Sequence, residues 1–381
     1  MALRSWHFDH GTSIMALPAG NRCASVGTGV PRGQLPPPQP PPRHHHARRA
    51  ARRRGRRRAR AAPDGYDHAM AAFAPTPPPP PGADVLRDES LARHTYLRIG
   101  GPARYFATPA DCEQLAQLSA WADAARLPLR VLGGGSNVLV SDGGVHALVI
   151  SLRRACGETR FEGPAVTAGA AVMLPALARA AAARGLGGLE FAIGIPGSVG
   201  GALQSNAGIG DGRCIGPLVR SVEVLEAGAF RTLDAGTLRF EYRSSSLRGR
   251  GLVTLGATLA LLPAPRPLIE AEMRRLLDAR ASTQPTAEPN AGSIFRNPAG
   301  NHAGRLIEAA GCKGLTVGAA SVSTLHANFI VHDGSATATE VAALMLEVQR
   351  RVGERFGVAL QPEVEWWGDG PPPPCFGAEA V

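Results

Sequence analysis

The chain has 381 residues, 44% of them hydrophobic, which is length and apolar content for two or three domains with a sizeable core. Its formal net charge of +10 is local: of 41 Lys+Arg and 31 Asp+Glu, thirteen Arg and one acid (Asp9) fall in residues 1–62, leaving 28 against 30 in the rest. A slightly acidic body argues against a nucleic-acid-binding core, the longest apolar run (Gly251–Leu262) is too short to span a bilayer, and six Cys without a C-x-x-C pair offer no metal or redox motif and read as reduced thiols.

Residues 1–83 read as a disordered Pro/Arg-rich extension. It carries Pro36–Pro38, Pro40–Pro42, His44–His46 and the basic run Arg48–Arg60, and cannot bury enough apolar surface to offset its ordering entropy. Its charge suits a targeting leader or an anionic-surface contact, although it is poor in Ser. The alternative is upstream sequence read from an early start, with Met70 as the true one.

Structure is expected from about Asp84. Asp111-x-x-Gln114 opens a helix with Leu115, Leu118 and Trp121 on one face. A strand over Leu129–Leu132 runs into Gly133-Gly134-Gly135-Ser136-Asn137, then a strand over Val138–Val140, a turn at Ser141–Gly144, and a strand over Ala147–Leu152. Ala171–Ala183 is an Ala-rich helix stopped by Gly185. Gly187–Gly212 is glycine-rich and has neither helical nor strand period. Strands over Val222–Leu225 and Leu252–Leu261 precede a helix over Ile269–Arg280. Ala281–Pro298, rich in Pro, Thr, Asn and Gly, is a domain boundary. Thr337-x-x-Glu340 is a capping box opening a helix with Val341, Leu344, Met345, Val348 and Val352 on one face, to end before Gly357. A last strand covers Val358–Trp366, before a Pro-rich end.

Two loops carry the chemistry. Gly133, Gly134 and Gly135 lack a Cβ, so their backbone can turn sharply and approach a ligand. Free N–H groups there can surround a diphosphate, with Ser136 and Asn137 adding side-chain donors. The P-loop pattern is absent, since the one Lys is Lys313. The Rossmann pattern is absent too, because a strand follows where a helix should open. Alone, such a turn also reads as a plain tight hairpin. The second loop, Gly194-Ile195-Pro196-Gly197-Ser198-Val199-Gly200-Gly201-Ala202 with Asn206-Ala207-Gly208, puts four glycines in eight residues beside apolar and hydroxyl groups, which suits a flat ring lying against backbone.

These loops occur in order with Thr95–Ala103, Tyr242-Arg243-Ser244, Ala291–Pro298, His326–Ile330 and Gln361–Val364. The series resembles the UDP-N-acetylenolpyruvoylglucosamine reductases over roughly residues 84–368. The resemblance implies an α+β chain, with an FAD-binding fold of two α/β subdomains (PCMH/VAO-like) and a C-terminal α+β substrate-binding domain. The expected layout is an FAD-binding domain over 84–281 (subdomains near 84–155 and 156–281), a substrate-binding domain over 282–357, a returning strand over 358–368, and a disordered tail over 369–381. It also implies FAD as cofactor, NADPH as reductant, UDP-N-acetylenolpyruvoylglucosamine as substrate, no metal, no membrane association, and a monomer in the bacterial cytoplasm.

Site residues follow from the same resemblance. Gly133, Gly134, Gly135, Ser136, Asn137, Gly194, Gly197, Ser198, Gly200, Gly201, Asn206, Ala207 and Gly208 are the expected FAD contacts. Arg243 is the expected stabiliser of the enolate-like charge, though a lone strand arginine is usually just exposed. Ser293 is the expected proton donor, though it also reads as a turn or cap serine. Glu363 is the expected carboxyl beside the substrate carboxylate, where like charges favour a neutral acid. Strand alternation would put Glu365 on the same face, so only the motif separates the two. Tyr242, Arg296 and Asn297 are expected at the substrate, with Arg296 in place of a family Lys.

Two departures stand out. Ile209-Gly210-Asp211 replaces a family Ala-Tyr-Gly, and no Tyr occurs from Leu262 to Arg280, as in the shorter branch lacking a substrate-closing tyrosine loop. His326 is given no catalytic role. Two other readings stay open: a sugar or alcohol oxidase of the same fold, against which Gly133–Asn137 holds no His or Cys to tether FAD, and a non-enzymatic binder gripping nucleic acid through its Arg-rich tail.

Overall fold

The computed structural model describes residues 77–377. The basic leader and the Met70 start lie outside the described residues.

Three layers of structure follow one another along the chain. The first is a four-stranded sheet in the order Val85–Ser90, Pro102–Ala107, Val145–Ile150, Leu129–Val131. Its first pair is antiparallel and the others parallel. Helix α1 (Cys112–Ala124) covers it. Its Asp111 cap accepts from the Gln114 N–H at 2.8 Å, and Leu115, Leu118 and Trp121 pack on Tyr105, Leu148 and Ile150. The Trp121 indole donates to the Pro77 carbonyl at 2.9 Å, so structure begins ahead of Asp84.

The second layer is an antiparallel sheet in the order Ala229–Asp234, Val219–Glu226, Leu252–Ala260, Ala165–Gly169, Thr159–Glu162. Helices α2 (Leu174–Ala182), α3 (Val199–Ser205) and α4 (Arg266–Thr283) share its core, where Leu177, Leu203 and Ile269 meet Val166, Val222 and Leu259. Gly185, at φ +65°, follows the end of α2, as its position in the sequence suggests.

The third layer is a small antiparallel meander (Thr316–Val317, Ala320–Val322, Ile330–Val331) with α5 (Ala303–Ala309) and α6 (Ala338–Phe356). The Thr337/Glu340 capping box forms on both sides, and Gly357 closes α6 at φ +66°. Val341, Leu344, Met345, Val348 and Val352 are all buried. Asp142, in the turn of the first layer, accepts from the Ala338 and Thr339 N–H groups at 2.7 and 2.9 Å and so fastens the start of α6.

Four elements differ from the sequence reading. The last strand is only Glu365–Trp367, running parallel to Val138–Val140. Residues 361–363 instead pair with 294–296, through Glu363 N–H to Ile294 O (2.7 Å) and Arg296 N–H to Gln361 O (2.9 Å). Residues 369–377, expected as tail, include a 3-10 turn over Pro374–Phe376 whose Cys375 is buried and accepts from Gln349 at 3.0 Å. The aperiodic Gly187–Gly212 stretch contains a 3-10 helix (Glu190–Gly194) and the whole of α3. Tyr242-Arg243 is not strand but the tip between Phe240–Glu241 and Ser244–Ser245.

Candidate active site

The first glycine loop leaves the Leu129–Val131 strand with its amides free. None of the backbone N–H groups from Gly133 to Asn137 donates to any group among the described residues. A run of unpaired amides on a backbone this bare is an anion cradle. Its carbonyls are anchored from behind, Gly135 O by the Tyr96 N–H and Asn137 O by the Glu365 N–H, at 2.9 and 3.0 Å. The Asn137 side chain donates to the Glu363 carbonyl at 3.0 Å, which ties this loop to the third candidate residue.

The second loop lies directly against the first. A Cβ on Gly133 would stand 2.6 Å from Ser198 Oγ, and one on Gly134 would stand 3.3 Å from Gly197 Cα. Ser198 caps α3, its Oγ accepting from Gly201 N–H at 3.4 Å. The amides of Gly197 and Ser198 also donate to nothing among the described residues. Gly194 is held by Arg280, whose Nη1 donates to its carbonyl at 2.5 Å.

Asn206 ends α3 at φ +45° with its side chain buried. Its Nδ2 donates to Glu241 O at 2.9 Å, and its Oδ1 accepts from Gly216 N–H at 3.0 Å. Both ends of that amide are therefore spent within the chain, and Asn206 acts as a strut under the Tyr242-Arg243 tip. Ala207 bonds through its N–H to Ala202 O and through its carbonyl to Ile215 N–H. The Ile209-Gly210-Asp211 departure is a turn pinned by Arg213, which bonds Asp211 at 2.6 Å and Glu272 of α4 at 2.9 Å. The hydrogen bond from Arg213 lowers the Asp211 carboxyl below its ordinary pKa.

Arg243 sits at that tip in the left-handed region, φ +53°, a strained place for a residue with a Cβ. Nη1 donates to Gly208 O at 3.0 Å, and Nε stands 2.6 Å from Glu363 Oε1. That second contact is not a hydrogen bond, since the Nε–H is buried and not aligned with an acceptor. Arg243 thus bridges the second loop to Glu363, whose backbone the first loop holds. Burial raises the Glu363 carboxyl above its ordinary pKa, while the Arg243 and Arg296 charges only partly oppose the rise.

Ser293 precedes Ile294 in the segment paired with 361–363, after Gly292 at φ +74°. Its hydroxyl is half-buried and makes no hydrogen bond among the described residues. The Arg296 backbone is fixed, and its Nε is buried without a partner. Asn297 caps α5, its Oδ1 accepting from Ala303 N–H at 3.0 Å, while its own N–H reaches the exposed Tyr242 hydroxyl at 3.4 Å. Glu363, Glu365, Arg296, Asn297 and Tyr242 line one cavity of about 720 Å³; Ser293 and Arg243 are not among its lining residues, although Arg243 contacts Glu363. His326 is packed, its Nδ1 accepting from Asn328 N–H at 3.2 Å and its ring 4.9 Å from Phe329.

A model of the C-terminal domain of UDP-N-acetylenolpyruvoylglucosamine reductase matches residues 284–367, and an FAD-binding domain model matches 103–229. A curated UDP-N-acetylenolpyruvoylglucosamine reductase of Symbiobacterium thermophilum is 46% identical over 287 residues, 75% of this chain and 93% of that protein. One of Moorella thermoacetica is also 46% identical, covering 75% and 94%. The chain belongs to the UDP-N-acetylenolpyruvoylglucosamine reductase family. A crystal structure of such a reductase from Thermus caldophilus superposes with a TM-score of 0.64 at 38% identity, covering 75% of this chain and 99% of that one.

Membership makes the protein an FAD-dependent oxidoreductase with NADPH as the family's reductant, and the free amides and bare backbone of the first loop fit that cofactor. The sequence reading missed Arg280 and Asp142, which hold the second loop and α6; neither lies in a motif. Among the described residues, no helix is long and apolar enough to cross a membrane.

Proposed function

We propose that this chain reduces the enolpyruvyl ether of UDP-N-acetylenolpyruvoylglucosamine to UDP-N-acetylmuramate in peptidoglycan precursor synthesis, as a cytoplasmic monomer. The observation that supports it most is the Arg243 bridge, which joins Gly208 of one cofactor loop to the carboxyl of Glu363, whose backbone carbonyl is held by Asn137 of the other. FAD held between these loops would supply hydride, drawn from NADPH, from N5 to C3 of the enolpyruvyl group. The Gly133–Asn137 amides, with Gly197 and Ser198, are the donors for its diphosphate and ring.

Hydride arrival puts negative charge on the pyruvyl carboxylate. Arg243, fixed before the reaction by two contacts, stabilises that charge without rearranging. Glu363, raised by burial, serves as a neutral donor beside the substrate carboxylate, where an ionised one would repel it. Ser293 has an uncommitted hydroxyl and delivers the proton to C2 as the carbanion forms. Arg296, with Tyr242 and Asn297 nearby, takes the nucleotide part of the substrate.

The purified protein is expected to be yellow and to oxidise NADPH only when the enolpyruvyl sugar nucleotide is present. A preparation that stays flavin-free after FAD is added contradicts the proposal.

A further inference from the structure

The cavity beside Glu363 is larger than the reacting group needs, and its far wall has no part in the chemistry above. There Trp366 and Phe376 pack with ring centroids 5.7 Å apart, and Arg130, Arg248 and Trp367 line the same cavity. The charges of this cavity pair unequally. Glu363 is matched by Arg243, and Glu365 by Arg248. Arg296 and Arg130 are left with no carboxylate among the described residues. Arg296 belongs to the substrate reading already given. Arg130 does not: among the described residues its side chain interacts with the Trp367 ring, its guanidinium carbon 5.4 Å from the centroid.

An unpaired guanidinium stacked on an aromatic ring, in a cavity whose acids already have arginine partners, suits a phosphate carried by a nucleotide. We propose that Arg130, stacked on Trp367, forms a second nucleotide-phosphate subsite of this cavity, apart from Arg296. It rests on the functional reading above, which brings two such ligands to the protein: the sugar nucleotide and NADPH. A phosphate of either has the chemistry that Arg130 recognises. Arg248 is excluded as the anchor because Glu365 already holds it.

The test is equilibrium titration of the flavin-loaded protein with UDP, NADP+ and NAD+, for the wild type, Arg130→Ala and Arg130→Lys. Arg130 is a half-buried residue at a sheet edge, so both variants are expected to fold and keep their flavin. If the subsite serves the reductant, Arg130→Ala weakens NADP+ about tenfold and leaves NAD+ and UDP unchanged. If it serves the substrate, UDP weakens about tenfold and the dinucleotides do not. In either case Arg130→Lys recovers part of the loss, since charge remains without the fork. Unchanged binding of all three ligands by Arg130→Ala overturns the subsite while leaving the functional reading intact. A flavin-loaded wild type that binds neither UDP nor NADP+ overturns both.

Discussion

The two glycine loops look alike in composition and differ in what their glycines do. In Gly133–Asn137 the amides point away from any protein partner, and the carbonyls are tied down behind them. In the second loop much of the glycine content answers to the protein itself. Gly200 lies against Ala170, where a Cβ would come within 2.9 Å, and Gly208 lies against Arg213, where one would come within 2.3 Å of its carbonyl. Chain segments press on the glycines of both loops, since a Cβ on Gly135 would stand 2.1 Å from His94 O, but the first loop alone presents an unbroken run of five free amides. Glycine count alone cannot separate these causes.

That difference predicts a graded set of substitutions. Gly135→Ala is the most severe: it combines φ +66° with a Cβ placed 2.1 Å from His94 O. The left-handed backbone alone costs about 1–2 kcal/mol and the clash adds to it, so thermal melting should fall by well over 5 °C and flavin content should collapse. A melting point near wild type would mean that the loop is free to move, against the anchored geometry described here.

Gly200→Ala and Gly201→Ala form a sharper pair because they are neighbours in α3. At Gly200 the added methyl meets Ala170 within 2.9 Å and should lower stability by about 1–3 kcal/mol. At Gly201 the nearest contact is Ser198 Oγ at 3.7 Å, an ordinary distance, so the better helix propensity of Ala should leave the flavin-free protein unchanged or up to about 1 kcal/mol more stable. Equal losses in urea unfolding would contradict the assignment of the two faces. Ser198→Ala loses the cap of α3 and should cost about 1 kcal/mol in the same experiment.

The smallest effect expected on folding is also the most specific in sign. Burial raises the folded pKa of Glu363, so folding favours its neutral form. Its contribution is most favourable below the unfolded pKa and is lost as pH rises through the folded value. Glu363→Gln should therefore match the wild type in stability at acid pH and gain on it toward neutral and alkaline pH, while losing activity. A relative loss of stability at alkaline pH would mean that the Arg243 pair outweighs burial.

Much of the fold was legible from periodicity. The Asp111 and Thr337 caps and the buried faces of α1 and α6 follow from short-range pattern, where capping chemistry and apolar spacing agree. Helix α3 was hidden because Val199-Gly200-Gly201 has low helix propensity, and burial of Val199, Ala202 and Leu203 overrides it. The last strand was overextended because Pro362 and Glu363 belong to a pairing with residues more than sixty positions earlier.

Arg243, Ser293 and Glu363 were marked by motif rather than by physics: each alone reads as a surface or turn residue. What no local pattern carried is the long-range geometry, such as Asn137 reaching Glu363, or Asn206 bracing the tip that holds Arg243 in a left-handed conformation.

The central claim is that Ser293 acts only in the step that consumes the enolpyruvyl substrate. Anaerobic stopped-flow absorbance of Ser293→Ala, read in both half-reactions, tests it most directly. Flavin reduction by NADPH should remain close to wild type, while reoxidation by the enolpyruvyl sugar nucleotide should slow by about a hundredfold or more. Equal slowing of the two half-reactions, or reoxidation at the wild-type rate, would contradict the account.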